Sequence, residues 1–129
     1  MKPKDLTIFI VDDDESVLRS VKRLMQSAGY RNVETFVCAE DFLGSASFNE
    51  PGLLILDLLL PGMGGIELYH RLAREGRSVQ TVFISALENE LDRARAQCVE
   101  ALAFLQKPFE RGDIVSAVRS AAGRRISRG

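Results

Sequence analysis

The chain has 129 residues, a length typical of one domain with a buried core. It is 46% hydrophobic and 27% charged with a formal net charge of −1, so no basic excess favours nucleic-acid binding. Residues 1–5 lack a signal-peptide pattern. The apolar run at 53–61 is shorter than the roughly 20 residues of a membrane span. The two cysteines have no metal-ligand spacing, which favours a reduced, cytoplasmic location.

Short apolar runs and helical periodicities alternate along the chain. The runs predict strands at residues 6–11, 33–37, 53–57, 81–84 and 101–105. Apolar residues at helical spacing predict helices at 17–28, 39–46, 66–73 and 88–99, and a last helix that includes 114–121. Gly29 and Gly76 stand where the first and third helices should end.

This alternation predicts an α/β fold, a doubly wound parallel sheet with helices on both faces. Because crossovers between parallel strands are right-handed, few topologies remain. The five-stranded solution is the flavodoxin-like (βα)5 fold with strand order 2-1-3-4-5, whose ligand site lies at the carboxyl ends of strands 1 and 3.

Polar side chains follow the strands at that edge of the predicted sheet. Asp12 and Asp13 follow strand 1, Asp57 ends strand 3, Ser85 follows strand 4 and Lys107 follows strand 5. Asp57 is notable because it closes a run of leucine and isoleucine, where a lone ionised carboxylate is costly to bury. Each residue alone has a plainer interpretation as a helix cap or a turn, and their shared position favours a site.

The chemistry of such a group is specific. Clustered carboxylates repel one another unless a cation lies among them, and an oxygen-only site suits Mg²⁺. A carboxylate can act as a nucleophile and form an aspartyl-phosphate, while Mg²⁺ and a lysine neutralise charge on the phosphoryl group. No glycine-rich phosphate loop follows strand 1, so nucleotide binding has no support.

Four segments make the chain resemble a receiver domain of the two-component response regulators, and more closely those of the FixJ/NarL type. These segments are IVDDDE at 10–15, Asp57 with LPGM at 60–63, FISA at 83–86, and FLQKPF at 104–109. Each segment alone is a weak signal, whereas all four in order at the expected strand ends are specific.

The resemblance implies a role for each acidic residue. Asp57 corresponds to the phosphoacceptor. Asp13 corresponds to the direct Mg²⁺ ligand and Asp12 to its helper through water, and Asp57 and the backbone carbonyl of Leu59 would complete the metal site.

The resemblance also implies the remaining parts of the site. Lys107 corresponds to the phosphoryl-binding amine, and the backbone amides of Leu59 and Ala86 would hold phosphoryl oxygens. Ser85 corresponds to the switch hydroxyl and Phe104 to the switch aromatic that turns inward on activation. The Lys107–Pro108 peptide bond is expected to be cis.

The resemblance further implies a sensor histidine kinase as partner, with no nucleic acid or membrane bound by this domain. The chain would catalyse only its own phosphoryl transfer and loss, and would not be an enzyme acting on other substrates. Phosphorylation is expected to alter the face of the fourth helix, fifth strand and fifth helix, through which a homodimer would form. Residues 1–123 are interpreted as the receiver domain and residues 124–129 as a basic tail or the start of a linker.

Three other functions remain open at this stage. A pseudo-receiver would be a protein-binding module without phosphorylation, but it would normally lack Asp57, Lys107 or the acidic pair. An aspartate-nucleophile phosphatase would place its nucleophile after strand 1, whereas the isolated acidic residue here follows strand 3. A flavin-binding protein would have a loop rich in Ser, Thr and Gly after strand 1, which this chain lacks.

Overall fold

The computed structural model describes residues 6–45, 52–77 and 79–128, with side chains through residue 121. Over this range five strands alternate with five helices. The strands are β1 (Thr7–Val11), β2 (Asn32–Phe36), β3 (Gly52–Asp57), β4 (Gln80–Ser85) and β5 (Ala103–Gln106). The helices are α1 (Glu15–Ser27), α2 (Ala39–Leu43), α3 (Gly65–Arg74), α4 (Glu88–Gln97) and α5 (Arg111–Arg128).

The strands form one parallel sheet in the order β2-β1-β3-β4-β5, which confirms the predicted flavodoxin-like topology. In this order the carboxyl ends of β1 and β3 are neighbours, because Val11 pairs with Leu56. The sheet therefore places Asp12 and Asp57 next to each other.

Two apolar layers cover the two faces of the sheet, since alternate strand residues point to opposite sides. Ile8, Ile10 and Ile55 pack with α1 and α5, and Phe9, Leu54 and Leu56 pack with α2, α3 and α4. All six strand residues are buried. Full burial of a side chain of this size is worth roughly 1.5–3 kcal/mol, so the two layers hold the strand ends in a fixed geometry.

The first four predicted strands agree with the structure to within one residue at each end. The prediction for strand 5 was wrong by two residues at its start, because a turn closed by Ala101 N–H and the Cys98 carbonyl precedes β5. Helix α4 likewise ends at Gln97 instead of residue 99. Val99 lies outside the helix with 78% of its surface exposed, so it could not contribute to an apolar helix face.

The other helix boundaries also differ in detail. Helix α5 continues through Arg128, so it includes 124–128 of the segment interpreted as a basic tail or the start of a linker. Residue 129 lies outside the described residues. Helix α2 ends at Leu43, and the predicted end at residue 46 is outside the described range. Gly29 and Gly76 have φ angles of 104° and 70°, conformations that glycine adopts readily, which confirms them as helix ends.

Among the described helices, none combines the length and hydropathy needed to cross a lipid bilayer.

Candidate functional site

Asp57 ends β3 and is only 4% exposed. The strand before it is buried along its whole length, so the carboxylate emerges directly from the core. Its Oδ1 atom accepts a hydrogen bond of 3.3 Å from the backbone N–H of Leu59. Gly65, the first residue of α3, lets the helix approach closely, because a Cβ atom there would lie 2.6 Å from the Asp57 carbonyl oxygen.

Asp12, Asp13 and Asp57 form an acidic cluster, with carboxylate oxygens within 4.8 Å of one another. Asp12 is fully buried and Asp13 is exposed, so the cluster opens to solvent on the Asp13 side. The Oδ1 atom of Asp12 accepts a hydrogen bond of 2.9 Å from the N–H of Asp14. The side chain of Asp14 instead caps α1, because it accepts a hydrogen bond of 2.9 Å from the N–H of Ser16.

Lys107 reaches this cluster from the segment after β5. Its Nζ atom donates to Asp12 Oδ2 at 2.7 Å and to Asp57 Oδ2 at 3.4 Å. The backbone N–H of Lys107 donates to the Ser85 carbonyl at 2.8 Å, and its peptide bond to Pro108 is cis, as predicted. An ammonium on a half-buried side chain thus lies beside two buried carboxylates.

The charges and the burial of the acidic cluster favour the binding of a cation. Burial, and after it the charge of Asp12, raises the pKa of Asp57 from 3.8 to about 6, although Lys107 acts in the opposite direction. Burial lowers the pKa of Lys107, but the hydrogen bond to Asp12 and the nearby carboxylate charges outweigh it, so the net pKa is raised and the ammonium stays charged at neutral pH. The donor set consists of carboxylate oxygens, which fits a hard cation such as Mg²⁺.

Ser85 ends β4, and Phe104 is the second residue of β5. Ser85 is fully buried, and its Oγ atom accepts a hydrogen bond of 3.2 Å from the N–H of Leu87. Phe104 is half-buried, and its ring stacks against Phe83 with centroids 5.7 Å apart. The guanidinium of Arg95 on α4 lies 5.5 Å from the Phe104 ring centroid.

The structure brings together four of the predicted side chains, those of Asp12, Asp13, Asp57 and Lys107, at the ends of β1, β3 and β5. Ser85 ends β4, where its carbonyl accepts from Lys107 N–H, and Phe104 contacts Phe83 and Arg95. Leu59 and Ala86, predicted to act through their backbones, are exposed in the loops after β3 and β4.

Two contacts that support this region were not predicted from the sequence. Glu40 on α2 accepts a hydrogen bond of 3.2 Å from Met63 N–H, in the loop after β3, and the contact of Arg95 with Phe104 was also not predicted. Neither has a sequence signal, because the partners lie on different elements whose packing must be known first.

A model of the response regulator receiver domain family matches residues 8–119. The response regulator protein TmoT of Ectopseudomonas mendocina is 35% identical over 121 residues, which cover 94% of this chain and 54% of the relative. The solved structure of the response regulator StyR is 39% identical with a TM-score of 0.84, covering 96% of this chain and 64% of that one. The FixJ-N crystal structure is 30% identical with a TM-score of 0.82, covering 95% and 96%.

The fold and its acidic rim define a doubly wound α/β domain of the flavodoxin-like kind with a candidate cation site. The chain belongs to the response regulator receiver domain family of two-component systems. Receiver domains of response regulators are phosphorylated by sensor histidine kinases and generally bind Mg²⁺ at such an acidic pocket. The chain spans about half the length of the curated relatives that it matches.

Proposed function

We propose that this chain is an active phosphoacceptor receiver that takes a phosphoryl group from a histidine kinase onto Asp57. The observation that carries the proposal is the contact of buried Asp57 with Lys107 inside an acidic cluster. Burial of a charged group destabilises the folded state. The buried carboxylate of Asp57, whose pKa is raised, is therefore poorly explained as a stabilising feature and indicates a functional site.

The metal site in this proposal consists of Asp12, Asp13, Asp57 and the backbone carbonyl of Leu59. Asp13 and Asp57 would bind the ion directly, and Asp12 would hold it through water. When bound, Mg²⁺ supplies positive charge that neutralises the transferring phosphoryl oxygens. Asp12 also anchors Lys107, which keeps the ammonium next to Asp57.

The transfer step is a displacement at phosphorus. A carboxylate oxygen of Asp57 forms a bond to phosphorus while the nitrogen–phosphorus bond of phosphohistidine breaks. The electron pair of that bond leaves with the imidazole, which takes a proton from solvent. Lys107 and the backbone amides of Leu59 and Ala86 bind the phosphoryl oxygens throughout. The domain catalyses only this transfer and the later loss of the phosphoryl group to water.

The donor must approach from the solvent side of the cluster. An apolar groove of about 490 Å³ lies next to Lys107, between Val17, Val21 and Leu24 of α1 and the segment that contains Lys107 and Phe109. Its position next to the phosphoryl-binding amine supports docking of the kinase segment that carries the phosphohistidine. No nucleic acid or membrane is required by this arrangement.

Signal output in this proposal depends on Ser85 and Phe104. Ser85 releases the N–H of Leu87 and turns its hydroxyl to the phosphoryl group. Phe104 then turns inward to restore the dispersion contacts that a void would lose. This population shift changes the face of α4, β5 and α5, through which two phosphorylated chains associate.

The domain limits are also part of the proposal. Residues 1–123 form the receiver, and residues 124–129 are a basic tail or the start of a linker. The family match, which covers residues 8–119, lies within the first of these segments.

The decisive experiment is incubation with acetyl phosphate and Mg²⁺, followed by intact mass. We expect wild type and the control variant Asp41→Asn, which changes an exposed carboxylate on α2, to gain the mass of one phosphoryl group. Asp57→Asn should gain nothing. If wild type gains no mass and shows no response to beryllofluoride, which mimics the phosphoryl group, the chain is instead a non-phosphorylated pseudo-receiver.

Sedimentation with beryllofluoride and Mg²⁺ tests the homodimer separately. A protein that stays monomeric under all conditions would contradict the proposed homodimer and leave the phosphoacceptor proposal intact.

A further inference from the structure

Phe104 is held in its position by two contacts on different elements. Its ring stacks with Phe83 of β4 at 5.7 Å and an interplanar angle of 17°, and Arg95 of α4 places its guanidinium carbon 5.5 Å from the ring centroid. That distance lies within the range of cation–π attraction, which reaches about 6 Å. Phe83 is fully buried, so it provides a fixed base for the ring.

The guanidinium of Arg95 is itself oriented. Its Nη1 atom donates to Asp92 Oδ1 at 2.8 Å and lies 3.4 Å from Glu88 Oε1, and both carboxylates belong to α4. Exposed ion pairs of this kind add little stability by themselves. Their effect here is to restrict the guanidinium to one direction, which reduces the entropy that the contact with Phe104 must offset.

We propose that Arg95 is a positioning residue that holds Phe104 against Phe83 and so sets the threshold for switching. This inference rests on the proposed function, in which Phe104 must leave its present position when Asp57 is phosphorylated. Every contact that favours the present position must be given up in that change, so the guanidinium opposes it. Because Arg95 is part of α4, the position of the ring is coupled to the helix at the output face.

The coupling has a definite sign. Removal of the guanidinium lowers the free energy needed to displace the Phe104 ring. A phosphoryl mimic should therefore bind more tightly, since that free energy reduces its apparent affinity. An exposed cation–π contact corresponds to roughly a two- to fivefold change in such an equilibrium.

The test compares Arg95→Met with Arg93→Met. Arg93 lies on the same helix and pairs with Glu90 at 3.6 Å, with its side chain 60% exposed, so the control also removes one exposed, ion-paired arginine from α4. Beryllofluoride is titrated in saturating Mg²⁺, and the midpoint should fall roughly two- to fivefold for Arg95→Met relative to Arg93→Met. Equal midpoints, or a higher midpoint for Arg95→Met, overturn the proposal.

A second arm uses no phosphoryl mimic. Aromatic carbon NMR follows the Phe104 ring, whose signals are assigned from their loss in Phe104→Leu. Arg95→Met should shift these signals and Arg93→Met should not. If wild type binds no beryllofluoride, the proposed function fails while this arm still decides whether Arg95 positions the ring, and unchanged ring signals in Arg95→Met then overturn the inference.

Discussion

Lys107 donates its shorter hydrogen bond to Asp12, with its Nζ atom 2.7 Å from the carboxylate Oδ2. The distance from Nζ to the proposed phosphoacceptor Asp57 is longer, 3.4 Å. The ammonium therefore lies within the acidic cluster itself and partly neutralises it. A cation that enters the cluster must tolerate this neighbouring positive charge.

Replacement of Lys107 should strengthen Mg²⁺ binding while it weakens phosphorylation. Two unit charges about 4 Å apart interact by on the order of 1 kcal/mol in bulk water and 4 kcal/mol near a protein surface. Removal of the repulsion between Lys107 and the metal ion in Lys107→Met should therefore raise Mg²⁺ affinity by roughly tenfold or more at low salt. Titration calorimetry measures the affinity, and mass after acetyl phosphate treatment measures the acceptor. Lys22→Met removes a positive charge from α1 and is the control. Unchanged or weaker Mg²⁺ binding in Lys107→Met would contradict this prediction.

Asp13 and Asp14 should separate metal binding from helix capping. Asp13→Ala should weaken Mg²⁺ binding by at least the roughly 10- to 100-fold that follows loss of a residue that orients a ligand. Asp14→Ala should leave Mg²⁺ affinity nearly unchanged and should lower the melting temperature, because its side chain caps α1 through Ser16. Calorimetry and thermal unfolding measure the two effects. Equal Mg²⁺ affinities for wild type and Asp13→Ala would exclude Asp13 as a ligand.

The sheet order and the acidic rim were predictable because both follow from local patterns. Buried strands are apolar throughout, crossovers have one hand, and the residues after each strand must then meet at one edge. The start of β5 and the end of α4 were wrong because a turn at residues 98–101 competes with both elements. The contacts of Glu40 with Met63 and of Arg95 with Phe104 depend on how each helix is rotated against the sheet, which no local pattern specifies.

The raised pKa of Asp57 predicts a pH-dependent stability in the absence of divalent cations. Because burial raises the pKa from 3.8 to about 6, the folded state binds more protons than the unfolded state between these values, so stability falls as pH rises through that window. Asp57→Asn removes the charge. Its advantage over wild type should be small near pH 4 and approach roughly 3 kcal/mol above pH 7, since the pKa rises from 3.8 to about 6 and one pKa unit is about 1.4 kcal/mol.

Thermal unfolding in EDTA across this pH range checks the prediction for Asp57→Asn. Addition of Mg²⁺ at neutral pH should stabilise wild type and reduce the difference between the two proteins. A difference that is constant with pH, or a wild type that gains stability on Asp57 ionisation, would show that the carboxylate is not strained.

We expect the absence of a side chain at Gly65 to allow the close packing of α3 against the end of β3, which sets the position of Asp57. A Cβ atom there would lie 2.6 Å from the Asp57 carbonyl oxygen and 2.9 Å from the Leu58 Cα, both backbone atoms that cannot move without shifting the end of β3. Gly65→Ala should therefore cost roughly 1–3 kcal/mol of unfolding free energy, as overpacking does, and should slow phosphorylation by acetyl phosphate. At Gly64 the nearest atom, the Leu58 carbonyl oxygen, would be 3.6 Å away. Gly64→Ala should thus cost less than about 1 kcal/mol, the loss expected when alanine replaces glycine as a helix N-cap. Denaturant unfolding of both variants decides, and equal losses would show that the close approach at Gly65 is unimportant.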